Sequence, residues 1–178
     1  MTKYIAFLRA INVGGHNVKM EELKAHFVSL GFSNVEAFIA SGNIIFETSA
    51  KNTASLEKRI ETMLREALGY EVSTFLRTPA ELAAVAKYKP FKAAELQTAL
   101  ALNVAFLAAP LEESAIKRLM TFENEIDRFH VHGREVYWMC AKKQSDSKFS
   151  NAVLERTIVA RSTLRGVSTI QKMAEKYC

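Results

Sequence analysis

Residues 3–30 read KYIAFLRAINVGGHNVKMEELKAHFVSL, and the change of hydrophobic period within this stretch decides how the chain begins. Tyr4 to Leu8 is a short apolar run suited to a buried strand, whereas Met20, Leu23, Phe27 and Leu30 share one stripe at helical spacing. Gly31 follows as a left-handed terminator. Between strand and helix lies Arg9-Ala10-Ile11-Asn12-Val13-Gly14-Gly15-His16-Asn17. A loop entering a helix aims N–H groups and the positive helix end at an anion, so this segment is a candidate anion pocket. The glycine pair alone asks only for the positive φ angles of a tight turn. No Lys-Ser/Thr pair follows the glycines and no third glycine stands at dinucleotide spacing, which excludes both phosphate-loop signatures.

Working outward, Val35–Ala40 and Ile44–Thr48 form a hairpin around Ser41-Gly42-Asn43, Thr53–Leu68 is an amphipathic helix ended by Gly69, and Val72–Arg77 is a fourth strand. Strand, helix, strand, strand, helix, strand is the split βαβ order of a ferredoxin-like α+β sandwich. Thr78-Pro79-Ala80-Glu81 opens a further helix with a capping box. The order then recurs: Leu100–Leu107 as strand, Leu111–Met120 as helix, Asp127–His132 with Glu135–Cys140 as hairpin, Phe149–Ile158 as helix and Ser162–Arg165 as a short strand. Ser168-Thr169-Ile170-Gln171 reads as a capping box for a terminal helix. The expected architecture is α+β, two ferredoxin-like βαββαβ units with antiparallel sheets covered by helices, one over residues 1–88 and one over 89–178. The repetition concerns element order, because the halves are not visibly similar in sequence.

The 178 residues are 49% hydrophobic, enough for a substantial core. No segment approaches the roughly 20 apolar residues of a membrane span, and no N-terminal apolar run resembles an export signal. Cys140 and Cys178 are the two cysteines, fewer than a disulfide framework uses. These features predict a cytoplasmic protein. The net charge is +5. Between Lys142 and Lys172, seven basic residues face Asp146 and Glu155, a surplus that favours anionic partners or serves as a solvated helical face.

In the second hairpin, Gly133-Arg134 suits a type II′ turn and pairs His132 with Glu135, Val131 with Val136, His130 with Tyr137 and Phe129 with Trp138. One face is core. The other carries His130, His132, Glu135 and Tyr137 on what is expected to be an exposed strand face, a weak metal pattern from which no metal is assigned. Ile44-Ile45-Phe46-Glu47-Thr48 lacks the glycine and aromatic alternation of an RNA-recognition sheet. No local motif pairs a serine or cysteine with His16, His26, His130 or His132 for nucleophilic catalysis. The run Ser145-Asp146-Ser147-Lys148-Phe149-Ser150-Asn151, followed by Arg161 and Arg165, offers hydroxyls, N–H groups and cations suited to a phosphate or carboxylate, or simply caps a helix.

Four segments, Phe7–Gly15, Ile39–Phe46, Val131–Trp138 and Ser145–Ser150, resemble the bacterial family catalogued as domain of unknown function 1697 (DUF1697). The resemblance implies a cytoplasmic bacterial protein with a duplicated ferredoxin-like architecture and no assigned reaction. It marks Arg9, Asn12, Gly14, Gly15, Ser41, Gly42, Asn43, Ser147, Lys148 and Ser150 as matches to the family's polar motifs. Where the family typically reads Arg-Asn-Trp-Asn-Thr, this chain has Arg165-Gly166-Val167-Ser168-Thr169.

The leading expectation is a binding protein for an anionic ligand, a phosphorylated small molecule or a nucleic-acid backbone, using those residues together with Arg165 and no cofactor. Its motive is that polar residues gather in turns on an apolar scaffold. The alternatives are an enzyme acting on a small phosphorylated or carboxylated substrate in a cleft between the halves, with Asn12, Ser147 and Lys148 near the chemistry, and a homodimerising module with an apolar sheet face.

Overall fold

A strand buried on both faces cannot alternate apolar and polar residues, and Tyr4 to Leu8 does not: all five are buried. They form most of β1 (Thr2–Leu8), which runs between two antiparallel neighbours in a four-stranded sheet. The structure, a computed structural model, describes residues 1–12 and 14–178; Val13, within the predicted anion loop, lies outside the described residues. After β1 come α1 (Met20–Ser29), β2 (Ser33–Ala37), β3 (Asn43–Thr48), α2 (Thr53–Leu68), β4 (Thr74–Arg77) and α3 (Pro79–Lys87). The sheet order is β2-β3-β1-β4. The chain continues through α4 (Ala93–Leu96), β5 (Ala101–Phe106), α5 (Glu113–Met120), β6 (Asp127–His132), β7 (Glu135–Cys140), a 3-10 turn at Gln144–Asp146, α6 (Asn151–Ile158), β8 (Thr163–Gly166) and α7 (Val167–Tyr177). The second sheet has the order β6-β7-β5-β8. The architecture is therefore α+β, two four-stranded antiparallel sheets with helices, consistent with two ferredoxin-like units. Among the described residues no helix is long and apolar enough to cross a membrane.

The chain divides into two compact units, Met1–Leu82 with Tyr177–Cys178, and Ala83–Lys176. The division falls inside α3, whereas the sequence pattern divides the halves between residues 88 and 89. In the first unit, Tyr4, Ala6 and Leu8 pack with Leu23 and Phe27 of α1 and with Leu56, Ile60 and Leu64 of α2. In the second, Ala105 and Leu107 pack with Leu119 of α5, Trp138 of β7 and Leu154 of α6.

The two units share register as well as order. Ile5 pairs with Arg77 on β4, and Val104 with Arg165 on β8. The Leu8 N–H donates to the Gly42 carbonyl at 2.8 Å, and the Leu107 N–H to the Arg134 carbonyl at 2.9 Å. Each arginine donates from Nη1 to the carbonyl of the residue before it, Leu76 and Leu164, at 2.8 Å. These matches align Ala6-Phe7-Leu8 with Ala105-Phe106-Leu107, and Leu76-Arg77 with Leu164-Arg165. The residues shared by the halves are few but occupy the paired central and edge strands.

Local chemistry accounts for most element ends. Asn52 caps α2 by accepting the Ser55 N–H at 2.9 Å, and Gly69 (φ +82°) ends it in the left-handed region. Thr78 and Glu81 exchange backbone-to-side-chain bonds, completing the capping box of α3. The β6–β7 hairpin has the predicted register, with Gly133 at φ +58° and Arg134 outside the positive-φ region, as a type II′ turn requires.

Three expectations are corrected. β2 ends at Ala37 and not Ala40, because Ile39 takes φ +58° and the Asn43 amide donates to the Phe38 carbonyl, closing a longer turn. Ser168 is not a helix cap: β8 passes directly into α7, whose first residue is Val167, so Ser168 lies inside the first turn. The His130 and Tyr137 face of β6–β7 is only partly open to solvent, at Arg128 and His132. Glu135 and Tyr137 are buried, and Tyr88, just beyond α3, hydrogen-bonds His130 Nε2 at 2.8 Å and stacks on His132 at 4.1 Å.

Asn52→Ala and Ser150→Ala, which remove the caps of α2 and α6, are expected to cost about 1 kcal/mol each. Thermal unfolding should register each as a fall in Tm of about 2–4 °C.

Candidate functional site

The polar residues singled out in the first unit meet at one end of its sheet, and their side chains are tied to backbone. Asn12 donates from Nδ2 to the Ala40 carbonyl at 3.1 Å and accepts the Val18 N–H at 2.8 Å. It thereby holds the loop after β1 against the turn after β2. Asn43, fully buried, donates to the Phe38 carbonyl and to Ser41 Oγ, both at 2.9 Å. The Arg9 N–H donates to the Ser73 carbonyl at 2.9 Å. His16 stacks on Tyr70 with centroids 3.6 Å apart, and the Tyr70 hydroxyl donates to the Ile11 carbonyl at 3.1 Å. Burial first, then the Glu22 carboxylate, raises the Tyr70 pKa and keeps that proton in place.

The glycines here are of two kinds. Gly14 (φ +63°) and Gly15 (φ +85°) have open space where a Cβ would stand, so the left-handed conformation alone asks for glycine. Gly42 (φ +78°) also lies so close to Ile11 that an added Cβ would meet Ile11 Cγ2 at 2.8 Å and Leu8 Cβ at 3.1 Å.

In the second unit, Ser147 and Asp127 form a buried polar chain beneath the helices. Asp127 accepts from Trp138 Nε1 and from Ser147 Oγ, both at 2.8 Å, and Ser147 Oγ accepts the Phe149 N–H at 3.0 Å. Ser150 caps α6 by accepting the Val153 N–H at 3.3 Å. Cys140 lies beside this chain, and burial pushes its thiol pKa up.

Lys148 is exposed and opens onto a cleft of about 680 Å³, whose walls include Phe122, Glu123, Asp127, Arg156 and Thr157. Its carboxylates are hydrogen-bonded within the protein: Asp127 is engaged as above, and Glu123 Oε1 accepts the Phe129 N–H at 3.1 Å. The exposed cations Lys148 and Arg156 and the exposed ring of Phe122 remain to meet a ligand. Arg156 is one of the seven basic residues between Lys142 and Lys172, and nothing in the sequence marks Phe122, whose position depends on how α5 ends.

Arg165 is elsewhere. It sits on the sheet face shared with Val104, opposite the face covered by α5 and α6, and donates from Nη1 to Thr163 Oγ1 at 2.8 Å. Its burial pushes the guanidinium pKa down to about 10. Arg77 stands at the equivalent point of the first unit, is fully buried, and was missed in the sequence because an arginine ending a strand ordinarily reads as exposed. Among the described residues no group of three or more His, Cys, Asp or Glu side chains is gathered that could hold a metal ion.

The family model described as a protein of unknown function (DUF1697) matches residues 1–137. The chain belongs to that family. The matched span takes in the first unit and the second as far as β7, and ends before Ser147 and Lys148. A solved structure, conserved bacterial protein SP0830 from Streptococcus pneumoniae, is similar to this chain over 99% of its length and 98% of that protein's, at 26% identity and a TM-score of 0.78. No curated protein matches the DUF1697 chain.

Gly42→Ala is expected to destabilise the protein by about 2–4 kcal/mol, since both backbone strain and a clash oppose it, whereas Gly14→Ala should cost about 1 kcal/mol. Chemical denaturation of the two variants compares them directly. Asp127→Ala leaves Trp138 Nε1 and Ser147 Oγ without their acceptor and should cost about 3 kcal/mol by the same measurement.

Proposed function

We propose that this DUF1697 protein binds a small phosphate-bearing ligand in the cleft of its second unit. Lys148 and Arg156 would meet the phosphate, and Phe122 would supply an apolar wall. The observation carrying this reading is the disposition of charge in the cleft: its two exposed cations are directed to solvent while its carboxylates are held by Trp138, Ser147 and the Phe129 amide. An anion entering there gains two attractive partners and meets no uncommitted carboxylate among the described lining residues. Thr121 and Thr157 line the cleft with hydroxyls that donate to the carbonyls of Arg118 and Val153 at 2.7 Å and keep acceptor capacity only, so the cations carry the recognition.

This reading narrows the anionic-ligand expectation. Ser147 becomes a support and not a direct ligand, because its hydroxyl donates to Asp127 and accepts the Phe149 N–H, while Ser150 caps α6 and stands outside the cleft lining. Asn12, Ser41 and Asn43 hold the first unit's loops in the same way. The groups with displaced pKa values, Tyr70, Tyr137, Cys140 and Arg165, lie outside the cleft lining, which favours binding over acid–base catalysis within it.

The test is titration with a nucleoside monophosphate, with inorganic phosphate and with a mixed-sequence single-stranded oligonucleotide, each across a salt series. Saturable nucleotide binding is expected, with loss of at least tenfold in affinity in Lys148→Ala/Arg156→Ala, whose exposed side chains leave the core intact. Tighter oligonucleotide binding, with a log–log salt slope near −1.4 for two contacts, would assign the cations to a polymer backbone. Unchanged affinities in the double variant would refute the cleft.

A further inference from the structure

On the opposite face of the second sheet, a partly open cavity of about 130 Å³ lies among Val85, Leu96, Leu102, Val104, Val167 and Ile170, with Tyr88, Tyr137, Lys89 and Gln171 also in its wall. That volume far exceeds the roughly 10–15 Å³ needed by one water molecule, and is close to that of an engineered apolar cavity of about 150 Å³ that takes up benzene. Most of the lining is apolar, Tyr88, Lys89, Tyr137 and Gln171 being the polar side chains in it. Tyr137 breaks the pattern. It is only 2% exposed, and its hydroxyl is buried with no hydrogen-bond partner among the described residues. The neighbouring tyrosine does not meet it: the Tyr88 hydroxyl pairs with His130 Nε2 at 2.8 Å and its ring stacks on His132.

A buried hydroxyl without a partner destabilises the fold, which makes this residue an unfavourable choice where phenylalanine would fill the same volume. We propose that the cavity is a binding site for a single-ring or similarly compact apolar molecule bearing one hydrogen-bond acceptor, which receives the Tyr137 hydroxyl proton. The acceptor belongs to the ligand because the phenol stays protonated: burial first, then Glu135 and Tyr88, raises its pKa well above the ordinary tyrosine value. The site stands apart from the Lys148 cleft, which lies on the α5 and α6 side of the same sheet, and does not depend on it.

Pyridine and benzene are matched probes, equal in shape and differing in one acceptor. Methyl NMR titrations of the full chain at pH 8, where pyridine is neutral, should give saturable shifts at Val85, Leu96, Val104 and Ile170. Pyridine should bind about fivefold more tightly, the worth of one net hydrogen bond. In Tyr137→Phe the preference should fall to about one while benzene still binds, and the unliganded variant should melt no lower than the parent, since it loses an orphaned group. Ala86→Leu, which fills the cavity from α3, should abolish both titrations and serves as the decisive control should Tyr137→Phe fail to fold. Absence of saturable shifts with either probe, equal affinities in the parent chain, or an acceptor preference that survives Tyr137→Phe would each overturn the proposal.

Discussion

The central strand of each unit has no face to give to solvent, and much else follows from that. Ile5, Ala6, Phe7 and Leu8 in β1, and Val104, Ala105 and Phe106 of β5 with Leu107 just beyond it, are all buried to within 1%. A strand so placed must satisfy every backbone group from its neighbours, which is why the Leu8 and Leu107 N–H groups reach the carbonyls of Gly42 and Arg134 just beyond the ladders. The small Ala6 and Ala105 point to the same side as the large rings Phe46 and Trp138 on the next strand. Alternation of small and large residues lets the helices close over the sheet without voids.

The same constraint explains the polar residues near the strand ends. Turns packed against a doubly covered sheet carry carbonyls and amides outside the strand ladders, and side chains answer them. Asn12, Asn43 and Ser147 do so, each bridging two segments. Asparagines and serines in loops read equally well as ligand contacts or as scaffold, because the residue types suit both, and only the partner decides. This is where reading the chain alone went furthest from the geometry: polar residues that seemed unexplained by packing are explained by backbone.

Where the deciding signal is local, sequence and structure agree closely. The β6–β7 register depends on a two-residue turn and an alternating pattern, both visible in the letters, and α2 carries its cap, its stripe and its terminating glycine in one continuous segment. Long-range closure left no such trace. Tyr88 covering His130 and His132 depends on chain 42 residues away in sequence, the cleft at Lys148 on the junction of α5 with α6, and the burial of Arg77 on what surrounds an entire sheet face. Ser168 misleads for a different reason: Ser-x-x-Gln satisfies the capping pattern, but a strand that enters a helix without a loop leaves no position for a cap.

The shared registers of the two sheets give this chain its own two-row alignment. Position by position, Ile45 stands opposite Tyr137, Phe46 opposite Trp138, Asn43 opposite Glu135 and Arg77 opposite Arg165. Each column records what one backbone site tolerates under two surroundings. Alanine, phenylalanine, leucine and arginine recur where packing and strand geometry leave least freedom, so those columns describe the frame. The column that joins an isoleucine to a tyrosine with an orphaned hydroxyl departs from that economy. There the second half has taken on a polar group that the shared architecture does not require, the mark of a specialisation absent from its twin.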